Sequence, residues 1–519
     1  MRGKITDCNG VVLATNDDTY SVFVRKRAVE DIKKLSITLA EILDVNFDYV
    51  YERLTTTFSS EVTIKKQVEK DKIDRLLQQN LKGVYYARDN SRKYVYNEFL
   101  TSVLGFTSTD GKGQSGLELY YDKYLSGING EILYQTDIVG VEIENSSAKY
   151  IPATNGLNLK LTIDYDIQQL CESAMQKAMT AHKAKSCQML VLDPNTGAIK
   201  ALCSKPSYNL NELPRDDLDL LYSLSRNSLV CDVYEPGSTF KILTTAANIQ
   251  EYLNGNKNAY STSHIFSSSR YRYIDGQKVK CWSDHKNGKH SSLDIKGGLL
   301  NSCNPIFVDM AMALGKDVMY KYINAFNYGN VTGIDFNGEA QGMVLPKSSV
   351  LNVDLARIAF GQTIAVTGLQ LACATASAIN GGNYYTPYLV SEIYDENNVV
   401  AEKISPKLKN KTISKEASEI LNKMLEEVVA DGSGKHAYIE GYRVAGKTGT
   451  AQKYVDGKIA SGKYVSSFVG YFPANAPKYL ALVIIDEPVG QYYGSTVAAP
   501  YAKEVFEGII KLKNLKSCG

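Results

Sequence analysis

The run Glu235-Pro236-Gly237-Ser238-Thr239-Phe240-Lys241 is where the reading of this chain turns. Pro-Gly punctuates the backbone. Ser238 then opens an apolar periodic run through Phe240, Ile242, Leu243, Ala246 and Ala247, the pattern of a helix start. On the first turn of a helix, a serine and a lysine three residues on share one face. A serine hydroxyl is a poor nucleophile unless a neighbouring base takes its proton, and a buried lysine of lowered pKa is such a base. The helix amino terminus also favours the negative charge that develops beside Ser238.

Ser-x-x-Lys recurs at Ser146/Lys149 and Ser283/Lys286, where a surface pair is the simpler reading, and Ser-x-Asn recurs at Ser225/Asn227. The weight lies in an ordered set: Ser238/Lys241, then Ser302-Cys303-Asn304, then Lys447-Thr448-Gly449-Thr450. In such a set Ser302 relays a proton between lysine and leaving amine, and Asn304 binds the substrate amide. Lys447 supplies positive charge for a substrate carboxylate, and Thr448 and Thr450 supply hydroxyl donors. Gly449 is expected to let substrate approach the strand closely. The backbone N–H groups of Ser238 and Thr450 are the expected oxyanion hole.

Around these motifs, apolar residues at helical spacing predict a helix over 29–43 and a second stripe at Phe47, Val50 and Leu54. Residues 110–130 read as loops around one short helix, and the polar stretch 144–158 as a linker. A strand is predicted over 159–163, then Asp164 as the N-cap of a helix carrying Ile167, Leu170 and Met175. A hairpin follows, 188–193 and 198–202 about Pro194-Asn195-Thr196-Gly197. Strands over 443–445, 467–472 and 479–485 and a helix over 502–511 complete the pattern. Mixed helices, strands and hairpins predict an α+β fold, an antiparallel sheet flanked by helices.

A length of 519 residues suggests three or fewer domain-sized units. The net charge of +2 provides no basic excess to neutralise phosphates, so no nucleic-acid partner is expected. Nine cysteines, an odd number without framework spacing, argue against a disulfide scaffold; Cys203 and Cys373 read as small core residues. No window holds the roughly 18 apolar residues of a spanning helix. The abrupt patterned start fits a chain severed just after a membrane anchor.

With these motifs in place the chain resembles the class B penicillin-binding proteins along nearly all its length. The start Arg2-Gly3…Ile5…Asp7…Asn9-Gly10…Leu13-Ala14 is similar to the segment following that family's anchor. Val103-Leu104-Gly105-Phe106, Gly116-Leu117-Glu118 and Tyr121-Asp122 resemble its non-catalytic, dimerisation-type pedestal, expected over residues 1–150. Leu161-Thr162-Ile163-Asp164, Gly361-Gln362, Thr367-Gly368-Leu369-Gln370, Asn380-Gly381-Gly382 and Arg443-Val444-Ala445-Gly446 resemble its transpeptidase domain, expected over 151–519. The resemblance implies peptidoglycan DD-transpeptidation through an acyl-enzyme on Ser238, with stem peptides as substrates and β-lactams as covalent inhibitors. It also implies work at the extracytoplasmic face of the cell membrane, beside a membrane glycan polymerase reached through the pedestal. Tyr492-Tyr493-Gly494 with Val497-Ala498-Ala499-Pro500 leans toward the division and sporulation branch.

One segment departs from that pattern: Cys281-Trp282-Ser283-Asp284-His285-Lys286-Asn287-Gly288-Lys289-His290 holds two of the five histidines. Cys281, Asp284, His285 and His290 make a tetrahedral zinc set, so a structural Zn2+ is expected here against the plainer reading of a polar loop. His264 and Cys303 are the substitutes should Asp284 not serve. His182 and His436 read as solvent-facing, and the chemistry needs no cofactor. A serine β-lactamase, a D,D-carboxypeptidase and a non-catalytic scaffold are the rival readings; the pedestal speaks against the first and the complete trio against the last.

Overall fold

A computed structural model describes residues 1–133, 149–285, 290–455 and 458–517. The long strand Val12–Arg25 pairs antiparallel with Glu61–Val68 on one side and Val84–Tyr94 on the other. Helices Ile32–Leu43, Phe47–Thr56 and Lys70–Gln78 accompany this ribbon, and Val22, Val24, Leu39, Leu43, Val50, Leu54, Val62 and Ile64 close a core between them. The first helix starts later than its apolar spacing suggested. Asp31 caps it by accepting from the Lys34 N–H at 2.9 Å, which fixes the start at Ile32. Residues 110–130 hold two short helices, Gly116–Tyr120 and Asp122–Leu125, where one was expected. Glu118, on the first, is fully buried and is neutralised by Arg2 at 2.5 Å and Arg92 at 2.6 Å. A buried carboxylate is tolerable only when paired in this way.

The expected linker lies partly outside the described residues; of the rest, Lys149–Ile151 and Asn158–Leu161 are strands. Asn158–Leu161 joins the pedestal sheet, pairing parallel with Ile5–Thr6 and antiparallel with Val390–Tyr394. The two units therefore share a sheet. Tyr121 adds a side-chain tie by donating to Asp335 Oδ2 at 2.8 Å.

The second unit is built on a five-stranded antiparallel sheet in the order Ala445–Val455, Lys458–Phe472, Tyr479–Asp486, Ser186–Leu192, Ile199–Lys205. The predicted hairpin is its last pair. Asp164 caps the helix Tyr165–His182 by accepting from Ile167 N–H at 3.3 Å. That helix and Ala499–Leu512 bury Ile167, Met175, Val505 and Phe506 against one face of the sheet. Helices Lys241–Leu253, Asn304–Ala325, Gly368–Ile379 and Lys415–Ala430 share the larger core on the other side. Arg443 stands just outside the sheet, with φ at +46°, so the strand begins at Ala445 rather than 443. Among the described residues no helix is long and apolar enough to cross a membrane.

Candidate active site

The three motifs converge where the helical layer meets the edge strand Ala445–Val455. Gly237–Phe240 forms a 3-10 turn, and the α-helix begins only at Lys241. Ser238 is thus one tight turn ahead of the α-helix its spacing predicted. A backbone crossing seats this turn: Gly237 donates its N–H to the Gly361 carbonyl at 3.0 Å. Gly361 has φ of +83°, and a Cβ there would lie 2.1 Å from the Gly237 carbonyl oxygen, so only glycine fits.

Ser302 is the junction of the site. Its hydroxyl donates to Ser238 Oγ at 2.9 Å and receives Lys241 Nζ at 3.0 Å and Lys447 Nζ at 3.2 Å. Lys241 also donates to the Ser302 carbonyl at 2.8 Å and to Asn304 Oδ1 at 2.7 Å. Both lysines are 0% exposed. Burial lowers the Lys241 amine from 10.5 to about 8, against an upward pull from Cys281 and Cys303. Burial, and then the charge of Lys241, hold Lys447 well below its usual value. Ser302 keeps φ at +51°, left-handed backbone that a non-glycine residue adopts only at a cost.

Lys447, Thr448, Gly449 and Thr450 lie along the strand in register with Val469, Phe468, Ser467 and Ser466. Thr448 donates to Ser433 Oγ at 3.3 Å, a partner that the turn containing Ser433 gave no signal of. The structure adds packing detail at two of these positions. The room that Gly449 leaves is taken by the chain itself: a Cβ there would come 2.5 Å from Ser467 Oγ and 3.0 Å from the Pro236 carbonyl. Gly449 therefore lets the nucleophile's turn pack onto the strand. Lys447 is buried, with its amine donating to Ser302 Oγ and the Thr448 carbonyl rather than standing at an open surface.

Beside Ser302 lies a second cluster. Donor atoms of Cys281, His285, His290 and Cys303 all fall within 4.8 Å of one another. Asp284 is not in this group. Cys303 takes the place assigned to it, because the turn into the helix Asn304–Ala325 brings Cys303 back onto the loop, with Sγ 3.8 Å from His285 Nε2. His264 is elsewhere, packed on Tyr260 and Phe266. The donor set suits zinc on three counts. His285 Nδ1 meets the Ser268 carbonyl at 2.8 Å, which as an N–H donor leaves Nε2 free for a metal. His290 Nδ1 is buried without a hydrogen-bond partner among the described residues. The Cys281 thiol is pulled down by the hydrogen bond from Cys303 foremost, then by His290 and His285, while Cys303 is pushed up by the same bond. His436 is exposed; His182 is half-buried, with Nε2 3.1 Å from the Tyr501 hydroxyl.

Comparison with known proteins decides the lineage. Residues 188–507 match the penicillin binding protein transpeptidase domain, and residues 1–161 the penicillin-binding protein dimerisation domain. Stage V sporulation protein D of Bacillus subtilis is 38% identical over 96% of this chain and 76% of its own length. The chain belongs to the class B penicillin-binding proteins. The peptidoglycan D,D-transpeptidase FtsI of Escherichia coli is 28% identical over 99% of the chain and 84% of its own length. Among solved structures, a peptidoglycan synthetase from Bifidobacterium adolescentis superposes with a TM-score of 0.80 at 24% identity, covering 100% of this chain and 96% of that one. Penicillin binding protein 3 of Mycobacterium tuberculosis, complexed with aztreonam, gives 0.76 at 21%, covering 99% and 97%. As a member of this family, the chain is a serine-type transpeptidase.

Proposed function

We propose that the protein cross-links peptidoglycan stem peptides through an acyl-enzyme on Ser238. One observation carries the residue assignment: a single hydroxyl, Ser302 Oγ, touches the nucleophile and both lysines. Ser238 Oγ attacks the penultimate D-Ala carbonyl, and the bond to the terminal D-Ala nitrogen breaks. The serine's proton reaches that nitrogen by way of Ser302 and Lys241, whose lowered pKa fits it for the exchange near neutrality. An amine of a second stem peptide then attacks the acyl carbon and returns its proton to Ser238 Oγ by the same route. The N–H groups of Ser238 and Thr450 stabilise the oxyanion in each step. Thr448 and Thr450 hydroxyls meet the substrate carboxylate, and the buried Lys447 amine acts on the site through Ser302 Oγ. Asn304 holds the lysine through Oδ1, leaving its amide N–H2, now 3.4 Å from the Lys280 carbonyl, to greet a substrate amide.

A structural zinc ion completes this reading, held by Cys281, His285, His290 and Cys303. It would neutralise the thiolates and fix Cys303, and through it the flanking Ser302 and Asn304. The family likeness further supports action at the outer face of the cell membrane. It also supports a pedestal over residues 1–150 that engages a glycan polymerase of that membrane. A reaction of the purified protein with a carboxylate-bearing thioester and a D-amino acid tests the function. Aminolysis product that exceeds hydrolysis product is expected; hydrolysis alone would make the protein a carboxypeptidase.

A further inference from the structure

The chain carries one tryptophan, and it stands beside the catalytic residues. Trp282 is 60% exposed, yet its indole N–H is not left to water. It is shared between the carbonyls of Asn301 at 3.2 Å and Ser302 at 3.1 Å, the latter being the carbonyl that also receives Lys241. The indole is thereby moored to the wall of the groove that bears Ser302 and Asn304. Tyr493 is moored to the facing wall. Its neighbour Gly494 donates its N–H to Thr450 Oγ1 at 3.1 Å. Gly494 also lies so close to the strands that a Cβ would come 2.3 Å from the carbonyl oxygens of Gly449 and Ser467. Tyr492 backs the tyrosine, 4.6 Å from Tyr493 and stacked at 4.0 Å on Tyr464. The two moored rings meet edge to face, with centroids 6.3 Å apart and planes at 60°. That is the geometry of a favourable aromatic pair. Ser238 lies between these two anchor points: Ser302 touches it on one side, and the Thr450 carbonyl lies beside Gly237 on the other.

We propose that Trp282 and Tyr493 form an aromatic bridge across the catalytic groove that must part when substrate enters. The bridge then selects by size: a ligand with a bulky group beside its reactive carbonyl has to separate the rings, and a slim ligand passes with the pair intact. The inference rests on Ser238 being the nucleophile.

Because Trp282 is the sole tryptophan, intrinsic fluorescence reads this one ring, which meets Tyr493 and, edge to face, His290. Benzylpenicillin is added to the full chain while emission and intact mass are followed together. The emission of Trp282 is expected to change at the rate at which the mass of the acyl-enzyme appears. Tyr493→Leu should raise the second-order acylation rate constant for benzylpenicillin by about 2- to 10-fold, the worth of one such pair. It should leave 6-aminopenicillanic acid, which lacks the acyl side chain, nearly unchanged. Tyr493→Phe, which keeps the ring, should behave as wild type, and all variants should melt alike. Full acylation without a change in emission, or slower acylation of Tyr493→Leu by benzylpenicillin, would overturn the bridge. Absence of any mass increase would instead overturn the nucleophile, and this inference with it.

Discussion

Replacing Ser302 tests the junction of the site directly. In Ser302→Ala the nucleophile loses its 2.9 Å contact, and Lys241 retains the Ser302 carbonyl and Asn304. Lys447 fares worse, left among the described residues with the Thr448 carbonyl at 3.3 Å. A proton relay of this kind is worth about 10²- to 10⁴-fold, or about 2.7–5.4 kcal/mol of barrier. Stability should fall too, by about 1–3 kcal/mol for a buried amine short of an acceptor. The backbone gives a control. Ser302 sits at φ +51°, where alanine is strained and glycine is not. Ser302→Gly should therefore lose acylation as fully as Ser302→Ala while melting no lower than it. Stopped-flow acylation by a fluorescent penicillin and thermal denaturation supply both readings. If Ser302→Ala acylated within about threefold of wild type, less than any relay contributes, the junction would be a packing feature and not a relay.

The remaining predictions concern the amines, the metal and the strand. The acylation rate constant should rise with pH and level off above about 8, because burial lowers Lys241 to that value and its neutral fraction grows as pH passes it; a flat profile would remove Lys241 as the base. Elemental analysis of untagged protein should find about one zinc per chain. Cys281→Ser, Cys303→Ser or a chelator should lower melting temperature and acylation together, whereas Asp284→Asn should keep the metal. In Lys447→Ala, carboxylate-bearing and neutral thioesters should suffer similar losses, since the buried amine acts through Ser302; a loss confined to the carboxylate ligand would restore direct pairing.

What the residues announced in one dimension were local patterns: the hairpin 188–202, the Asp164 cap, and the motifs Ser238/Lys241, Ser302/Asn304 and Lys447-Thr448-Gly449. Each depends on neighbours a few positions apart, so periodicity and turn chemistry reveal it. What they concealed depends on distant chain meeting in space. Cys303 joins a histidine eighteen positions earlier only because a helix start folds back onto the loop, while Asp284, closer in sequence, stands outside the group. The left-handed backbone of Ser302 leaves no trace in composition, because asparagine or glycine would have been its signal and serine is neither. Gly449 was legible as a glycine with a purpose, but whether substrate or the Pro236 turn fills its space is a matter of packing. The Trp282–Tyr493 contact spans more than two hundred residues and has no local signature at all.

The account stands on Ser238, and intact-mass analysis with a penicillin addresses it most directly. Wild-type protein should gain the mass of one intact penicillin and keep it, with proteolytic fragments placing the adduct on the peptide containing Ser238. Ser238→Ala, with an unchanged circular dichroism spectrum, should gain nothing. Persistent labelling of Ser238→Ala would contradict the assignment of the nucleophile, and with it the chemistry built around Ser302 and Lys241.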